Sequence, residues 1–148
     1  MKNLIKLIVS FPIAIPIMLA QNNPPIKSFD EGVMLESIAE VENSAGKIGN
    51  HGEVSPWQIM PETWNQYSSA EFKNADPKQQ AIVALRILRG YALILTKRRI
   101  PVTVTNMALA WNSGPNRKTW PNSSILYAER VLNVYNRRIA TKRAGGGK

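Results

Sequence analysis

The sequence predicts a single, mainly α-helical domain with a loop or small β-hairpin after its first helix. Three observations predict it. The chain has 148 residues, enough for one compact domain and not two. Two stretches, 31–43 and 77–96, carry apolar residues at helical spacing behind good N-cap residues. No internal repeat occurs, and no long alternation of apolar and polar residues of the kind that marks a half-buried strand.

Residues 1–20 differ from the rest. Lys2 and Lys6 form a positive head, and an apolar run of about 14 residues, Leu7 to Ala20, follows. A spanning helix needs roughly 20 such residues. A charged head, a short apolar stretch and a small residue at Ala20 describe a secretory signal peptide cleaved near Ala20. Met18 stands where a small residue is expected, so an uncleaved N-terminal anchor is the alternative. Either reading places the working domain outside the cytoplasm, periplasmic or secreted, and cleavage would leave no stable membrane span. Residues 21–29 are a polar, proline-bearing linker, and residues 30–140 form the domain.

Within the domain, Asp30 is the expected N-cap of the first helix. Leu35, Ile38 and Glu42 share a face, with Met34 and Val41 beside them, while Glu36 and Glu40 fall elsewhere as solvated carboxylates. Residues 44–56 hold three glycines and an Asn-His-Gly turn signal, which predicts loop or hairpin. Pro61 can start a short helix ending near Tyr67. Asp76, Pro77 and Gln79 form a capping-box start to a long helix, whose expected buried face is Ala81, Leu85, Leu88, Ala92 and Leu95, widened by Ile82, Tyr91 and Ile94. Lys97, Arg98 and Arg99 suit its negative end, and Pro101 stops it. A short helix is expected over 105–111, a loop over 112–121, and a last helix over about 124–139. The tail, 141–148, is expected to be basic and flexible.

Beyond Lys2 and Lys6, 17 of the 19 Lys/Arg remain against 10 Asp/Glu. A basic exported protein is attracted to anionic polymers such as cell wall, nucleic acid or a membrane surface, and charge alone does not choose among them. The basic residues are scattered and match no nucleic-acid motif. With no cysteine there are no disulfides and no lipid-anchored lipoprotein, so stability rests on the core.

Glu42 is the residue with the clearest chemical potential. A carboxyl at the rim of an apolar face loses hydration, which raises its pKa and favours the protonated acid. Protonating a glycosidic oxygen near neutral pH requires such an acid. A helix-end glutamate turned to water, or paired with a Lys or Arg, is the alternative reading of this segment taken alone.

Residues 38–64, IAEVENSAGKIGNHGEVSPWQIMPETW, and residues 108–115, ALAWNSGP, together resemble the lysozyme-like superfamily. The resemblance is to the transglycosylase domain of soluble lytic transglycosylases and the related goose-type lysozymes. That family has a helix ending in a catalytic Glu, then Gly-Leu-Met-Gln-Ile-Met-Pro, then Ala-Tyr-Asn-Ala-Gly-Pro, and a tyrosine opening the last helix. Here Glu42 matches the catalytic glutamate, and Trp57-Gln58-Ile59-Met60-Pro61 the second block. Ala110-Trp111-Asn112-Ser113-Gly114-Pro115 matches the third, and Tyr127 with Val131 the fourth. The blocks keep order and approximate spacing over residues 34–136. Asn43 replaces the usual Ser, Ser55-Pro56-Trp57 replaces Gly-Leu-Met, Trp111 replaces Tyr, and the loop after Glu42 is slightly short. These departures border the cleft and bear on substrate length and product chemistry.

The resemblance implies a lysozyme-like fold that cleaves peptidoglycan glycan strands with Glu42 as the single catalytic carboxylate. Its expected substrate-binding residues are Gln58, Asn112, Tyr127, Trp57, Trp111 and Ser55. Gln58 and Asn112 offer donors and acceptors suited to N-acetyl groups, and Trp57 and Trp111 offer ring faces for pyranoses, with core packing as the alternative for both. Glu53 and Glu62 are candidates for a second carboxylate, and surface roles are favoured for both. His51, the sole histidine, is read as part of the turn, so no metal site and no cofactor are expected. The leading expectation is a monomeric lytic transglycosylase that forms 1,6-anhydro-muropeptides and binds no nucleic acid. A hydrolytic muramidase on the same fold is the closest alternative, and a non-catalytic wall-binding or assembly module is another.

Overall fold

The computed structural model describes residues 23–42 and 52–145. The expected signal peptide, the Asn43 and His51 positions and the last three residues of the tail lie outside them. Among the described residues the architecture is helical: α1 (Glu31–Glu42), α2 (Pro61–Tyr67), a single 3-10 turn (Phe72–Asn74), α3 (Pro77–Lys97), α4 (Val104–Ser113) and α5 (Asn122–Gly145). None of these helices is long and apolar enough to cross a membrane.

Side-chain caps open α1, α3 and α4. The Asp30 carboxylate accepts from the Val33 N–H at 3.0 Å, which opens α1. Before α3, Asp76 accepts from Gln79 N at 2.7 Å, and the Gln79 amide oxygen accepts from Asp76 N at 3.1 Å, completing the expected capping box. The Thr103 hydroxyl caps α4 by accepting from Asn106 N. The carbonyl of Pro121 starts α5 by accepting from Ser124 and Ile125, two residues earlier than the spacing suggested.

α4 lies at the centre. Met107, Ala108, Leu109 and Ala110 are all buried, and the two alanines let neighbouring helices approach closely. α5 packs along α4 and α1, while α3 packs on α4 and receives α2. The α1 face expected from sequence is the one observed, with Met34, Leu35, Ile38 and Val41 in the core. For α3 the face is rotated. Leu88, Ala92 and Leu95 are buried as expected, but Val83, Ala84 and Ile87 complete the stripe, whereas Ile82 is 42% exposed and Ala81, Leu85 and Ile94 sit at the margin. The stretch is apolar on more than half its circumference, so periodicity alone did not fix which part faces inward. Packing against α2 does so through Gly90, where the Tyr67 ring fills the space a side chain would take.

The C-terminal end of α3 closes as a Schellman motif: Ile100 N donates to Leu95 O and Arg99 N to Thr96 O, both at 2.9 Å. Arg99 occupies the left-handed position at φ 58°, where glycine is the usual residue.

Two boundary expectations change. The segment expected as a linker is strapped to the domain over residues 23–29. Glu31 forms a two-pronged ion pair with Arg89 (2.9 and 2.7 Å) and also accepts from Ile26 N at 2.9 Å, while Arg89 reaches the Asn23 carbonyl. Burial alone would raise the Glu31 pKa, but Arg89 and the Ile26 N–H outweigh it and hold the carboxyl below its ordinary value. Phe29 meets Tyr135 edge-on, and the Tyr135 hydroxyl accepts from Asp30 N. At the other end, residues 141–145 of the expected flexible tail continue α5 as helix. Lys142 pairs with Asp30 at 2.7 Å, and basic residues in the last turn suit the helix dipole.

Candidate functional site

α1 and α5 run antiparallel, so the C-terminal end of α1 meets the N-terminal part of α5. There the Tyr127 hydroxyl donates to Glu42 Oε1 at 2.8 Å, joining residues 85 apart in sequence. Met34, Leu35, Ile38 and Val41 on α1, with Ala128 and Val131 on α5, form the apolar ground beneath this pair.

Burial of the Glu42 carboxyl raises its pKa above the ordinary value. The Tyr127 hydrogen bond and the Arg130 guanidinium pull it down by favouring the carboxylate, and the Glu53 charge pushes it up again. Desolvation prevails. Tyr127 is itself buried beside a carboxyl, which pushes its own pKa up and keeps it a donor. Arg130 donates to the Val41 carbonyl at 3.2 Å, one turn along α5 from Tyr127. The sequence reading overlooked Arg130, although its spacing of three from Tyr127 was a usable signal. Glu53 was expected at the surface. It is half-buried, and its charge reaches Glu42, because the Val54–Ile59 bridge folds this segment back toward α1. Glu62 is exposed in the first turn of α2, as expected.

The predicted hairpin is present in minimal form. Val54 and Ile59 exchange both backbone hydrogen bonds, at 2.7 and 2.8 Å, across the turn Ser55-Pro56-Trp57-Gln58. Ser55 (φ 70°) and Gln58 (φ 47°) both take left-handed backbone conformations, which are costly for residues with a side chain. Ser55 was expected to contact substrate. It is instead fully buried: its hydroxyl accepts from Trp57 N and its carbonyl from both Gln58 N and Gln58 Nε2. Its role is to build the turn that presents Trp57 and Gln58.

Trp57 and Trp111 are anchored more than they are displayed. The Trp57 indole N–H donates to the Leu35 carbonyl at 2.9 Å, and the Trp111 indole N–H donates to the Trp57 carbonyl at 3.2 Å. Tyr91 lies 6.2 Å from the Trp111 ring, tilted by 60°. These bonds fasten the turn to α1 and to α4, and both rings remain partly buried against the core.

Asn112 was expected in a loop. It lies in the last turn of α4, which ends only at Gly114, where φ is 86°. Its side-chain oxygen accepts from Ser124 Oγ at 2.7 Å. Because that proton is committed, the short contact between the Ser113 and Ser124 hydroxyls makes Ser113 the donor. Asn112 is otherwise exposed.

The structure thus joins Glu42 and Tyr127 directly. The Trp57–Gln58 turn is tied to α1 at Leu35, two turns before Glu42, with Trp111 bonded to that turn, and Asn112 bonds Ser124, one turn before Tyr127. A pocket of about 420 Å³ opens elsewhere, at the far end of α1 and α5, but its lining charges are already paired: Asp30 with Lys142, Glu36 with Arg138, and Arg137 with Glu40. Among the described residues no three His, Asp or Glu side chains cluster as metal ligands do.

Removing the Tyr127 hydroxyl removes a bond that favours the carboxylate. Tyr127→Phe should therefore raise the Glu42 pKa further and move the alkaline limb of any Glu42-dependent activity to higher pH. Carboxyl-carbon NMR titration beside a pH–rate profile measures both; an unmoved or lowered Glu42 pKa would contradict the role given to the hydroxyl. No protein-family model matches this chain, and no curated protein and no solved structure matches it.

Proposed function

We propose that this chain is an exported lytic transglycosylase of lysozyme-like fold, acting on the β-1,4 bond between N-acetylmuramic acid and N-acetylglucosamine in peptidoglycan. One observation carries the reading. Glu42 and Tyr127, which the sequence resemblance marks independently in two blocks, meet at 2.8 Å on apolar ground, and the Glu42 carboxyl has a raised pKa.

Tyr127 engages Oε1, which leaves Oε2 to carry the transferable proton. Glu42 gives that proton to the glycosidic oxygen as the bond to the muramoyl C1 breaks, and the N-acetylglucosamine side leaves as an alcohol. The resulting carboxylate takes the proton of the muramoyl 6-hydroxyl while that oxygen bonds to C1. The 1,6-anhydro ring closes, no water is consumed, and Glu42 ends protonated. No cofactor enters, and the chain works as a monomer outside the cytoplasm.

The Glu53 charge near Glu42 favours a second reading, hydrolysis on the same scaffold, because a second carboxylate can activate water. Mass spectrometry of digested wall separates the two. Anhydro-muropeptides, lighter by one water than their reducing counterparts, are the expected product; reducing ends alone would establish the hydrolase, and no product at all would leave a wall-binding module.

A further inference from the structure

α3 buries one face and shows the other. Along the shown face Lys78, Ile82, Arg86, Arg89, Leu93 and Lys97 recur every three or four residues, so they form one stripe over the length of the helix. Ile82 and Leu93 are 42% and 38% exposed, although both are aliphatic. Lys78, Arg86 and Lys97 pair with no carboxylate of the described residues, Arg89 is matched by Glu31, and α3 itself contains no acidic residue. Asp76, just before the stripe, is taken up by the capping box. The face is therefore apolar and cationic together, and it lacks an anion of its own.

The strap fixes where the preceding chain reaches this face. Arg89, between Ile82 and Leu93 on the stripe, donates to the Asn23 carbonyl at 3.3 Å. The apolar run Leu7–Ala20 ends three residues before Asn23, and three residues reach at most about 11 Å. The leader and the anchor readings of that run both put it in lipid. In either case its end is tied to the middle of the stripe, so the stripe is brought to the membrane for as long as the run is attached.

We propose that the outer face of α3 docks on an anionic lipid surface, with Ile82 and Leu93 set into the headgroup boundary and Lys78, Arg86 and Lys97 against lipid phosphates. A helix that presents aliphatic and basic side chains along one stripe lies in the plane of the interface. Basic residues there are drawn by the negative potential of the leaflet. Nucleic acid or a wall polymer would meet the cations but offers no apolar phase to Ile82 and Leu93. Contact of this kind holds the domain on a membrane surface without a spanning helix, and it outlasts removal of the N-terminal run. It is independent of the peptidoglycan reading, which concerns the Glu42 end of α1.

The chain contains no cysteine, so a single Leu93→Cys in the full chain can carry a polarity-sensitive fluorophore. Ile82→Cys is a second reporter on the same face, and Asn136→Cys, exposed on α5, is the control. The probes are vesicles of phosphatidylcholine alone and vesicles of phosphatidylcholine mixed with phosphatidylglycerol. With the mixed vesicles, emission from the Leu93 and Ile82 labels should move to the blue, and that from the Asn136 label should stay. Lys78→Gln combined with Lys97→Gln, or phosphatidylcholine alone, should raise the lipid concentration at half-maximal shift on the order of tenfold, since each basic residue near an anionic leaflet contributes several-fold. No shift at the Ile82 and Leu93 labels, equal shifts at all three labels, or a double lysine variant with unchanged lipid dependence overturns the proposal. A blue shift that grows with protein concentration in the absence of lipid would give the face to a second copy of the chain, and overturns it as well. No glycan enters the test, so its failure leaves the Glu42 reading as it stands, and loss of that reading leaves the docking face.

Discussion

Glu42→Gln is expected to lower glycan cleavage by at least two to four orders of magnitude, the range a positioned general acid supplies. The amide is nearly isosteric and can still accept from Tyr127, so fold and wall binding should survive. Stability gives a second readout with a definite sign. The folded-state pKa of Glu42 lies above its unfolded value near 4.5. Below that value both states hold the proton, and the carboxyl contributes no pH dependence. As pH rises from there through the folded pKa, the unfolded chain releases the proton first, so wild-type stability declines across that window. The Gln variant has no such decline. Its melting temperature relative to wild type should therefore climb from acid to neutral pH, while its activity is absent throughout. Appreciable cleavage by the variant would move the acid to another residue, Glu53 first.

Gly90→Ala should destabilise the domain by about 1–3 kcal/mol, the usual cost of forcing atoms into a packed core. On an exposed helix the same change would stabilise by up to about 1 kcal/mol, since alanine is the better helix former. The sign is reversed by Tyr67. A β-carbon at Gly90 would lie 2.3 Å from the Tyr67 hydroxyl and 2.7 and 2.9 Å from two ring carbons. The ring is buried at 3% exposure and has little room to give way. In a Tyr67→Leu background the clash is gone, and Gly90→Ala should become neutral or stabilising. Denaturant unfolding of the four proteins measures the coupling. An unaltered midpoint for the single variant would mean that α2 shifts off α3 at little cost.

Local rules made much of the fold legible. Asp76 with Pro77 and Gln79, Asp30 ahead of α1, and Pro61 at the first position of α2 are helix-start signals whose physics acts over three or four residues, and the structure follows each. The rotated face of α3 was not legible, because Ile82, Leu85, Ile87 and Leu88 are apolar on several sides at once. Gly90 decides among them through Tyr67, which lies 23 positions earlier in the chain. At the candidate site, the apolar flank of Glu42 was readable from Leu35 and Ile38 on its own helix. Arg130 was readable too, from its spacing of three after Tyr127, and was passed over, whereas the Glu53 charge and the burial of Ser55 depend on how the segment after α1 folds back. Asn112 was misplaced for a milder reason: Gly114 ends α4, and the helix runs up to it through a serine and an asparagine, residues that more often begin turns.

The antiparallel pairing of α1 with α5 also acts as a gauge with two fixed marks. At one end Glu42 meets Tyr127; at the other Asp30 meets Lys142, with Glu36 and Glu40 joined to Arg138 in between. Partner positions descend along one helix as they ascend along the other, so every contact shares one phase. A residue inserted in α5 between Val131 and Arg137 would turn everything beyond it by about 100° and advance it by about 1.5 Å. Both marks could not then be kept. Length and angular phase of α5 are therefore under the same constraint as the Glu42–Tyr127 contact, even where its side chains are exposed and far from it.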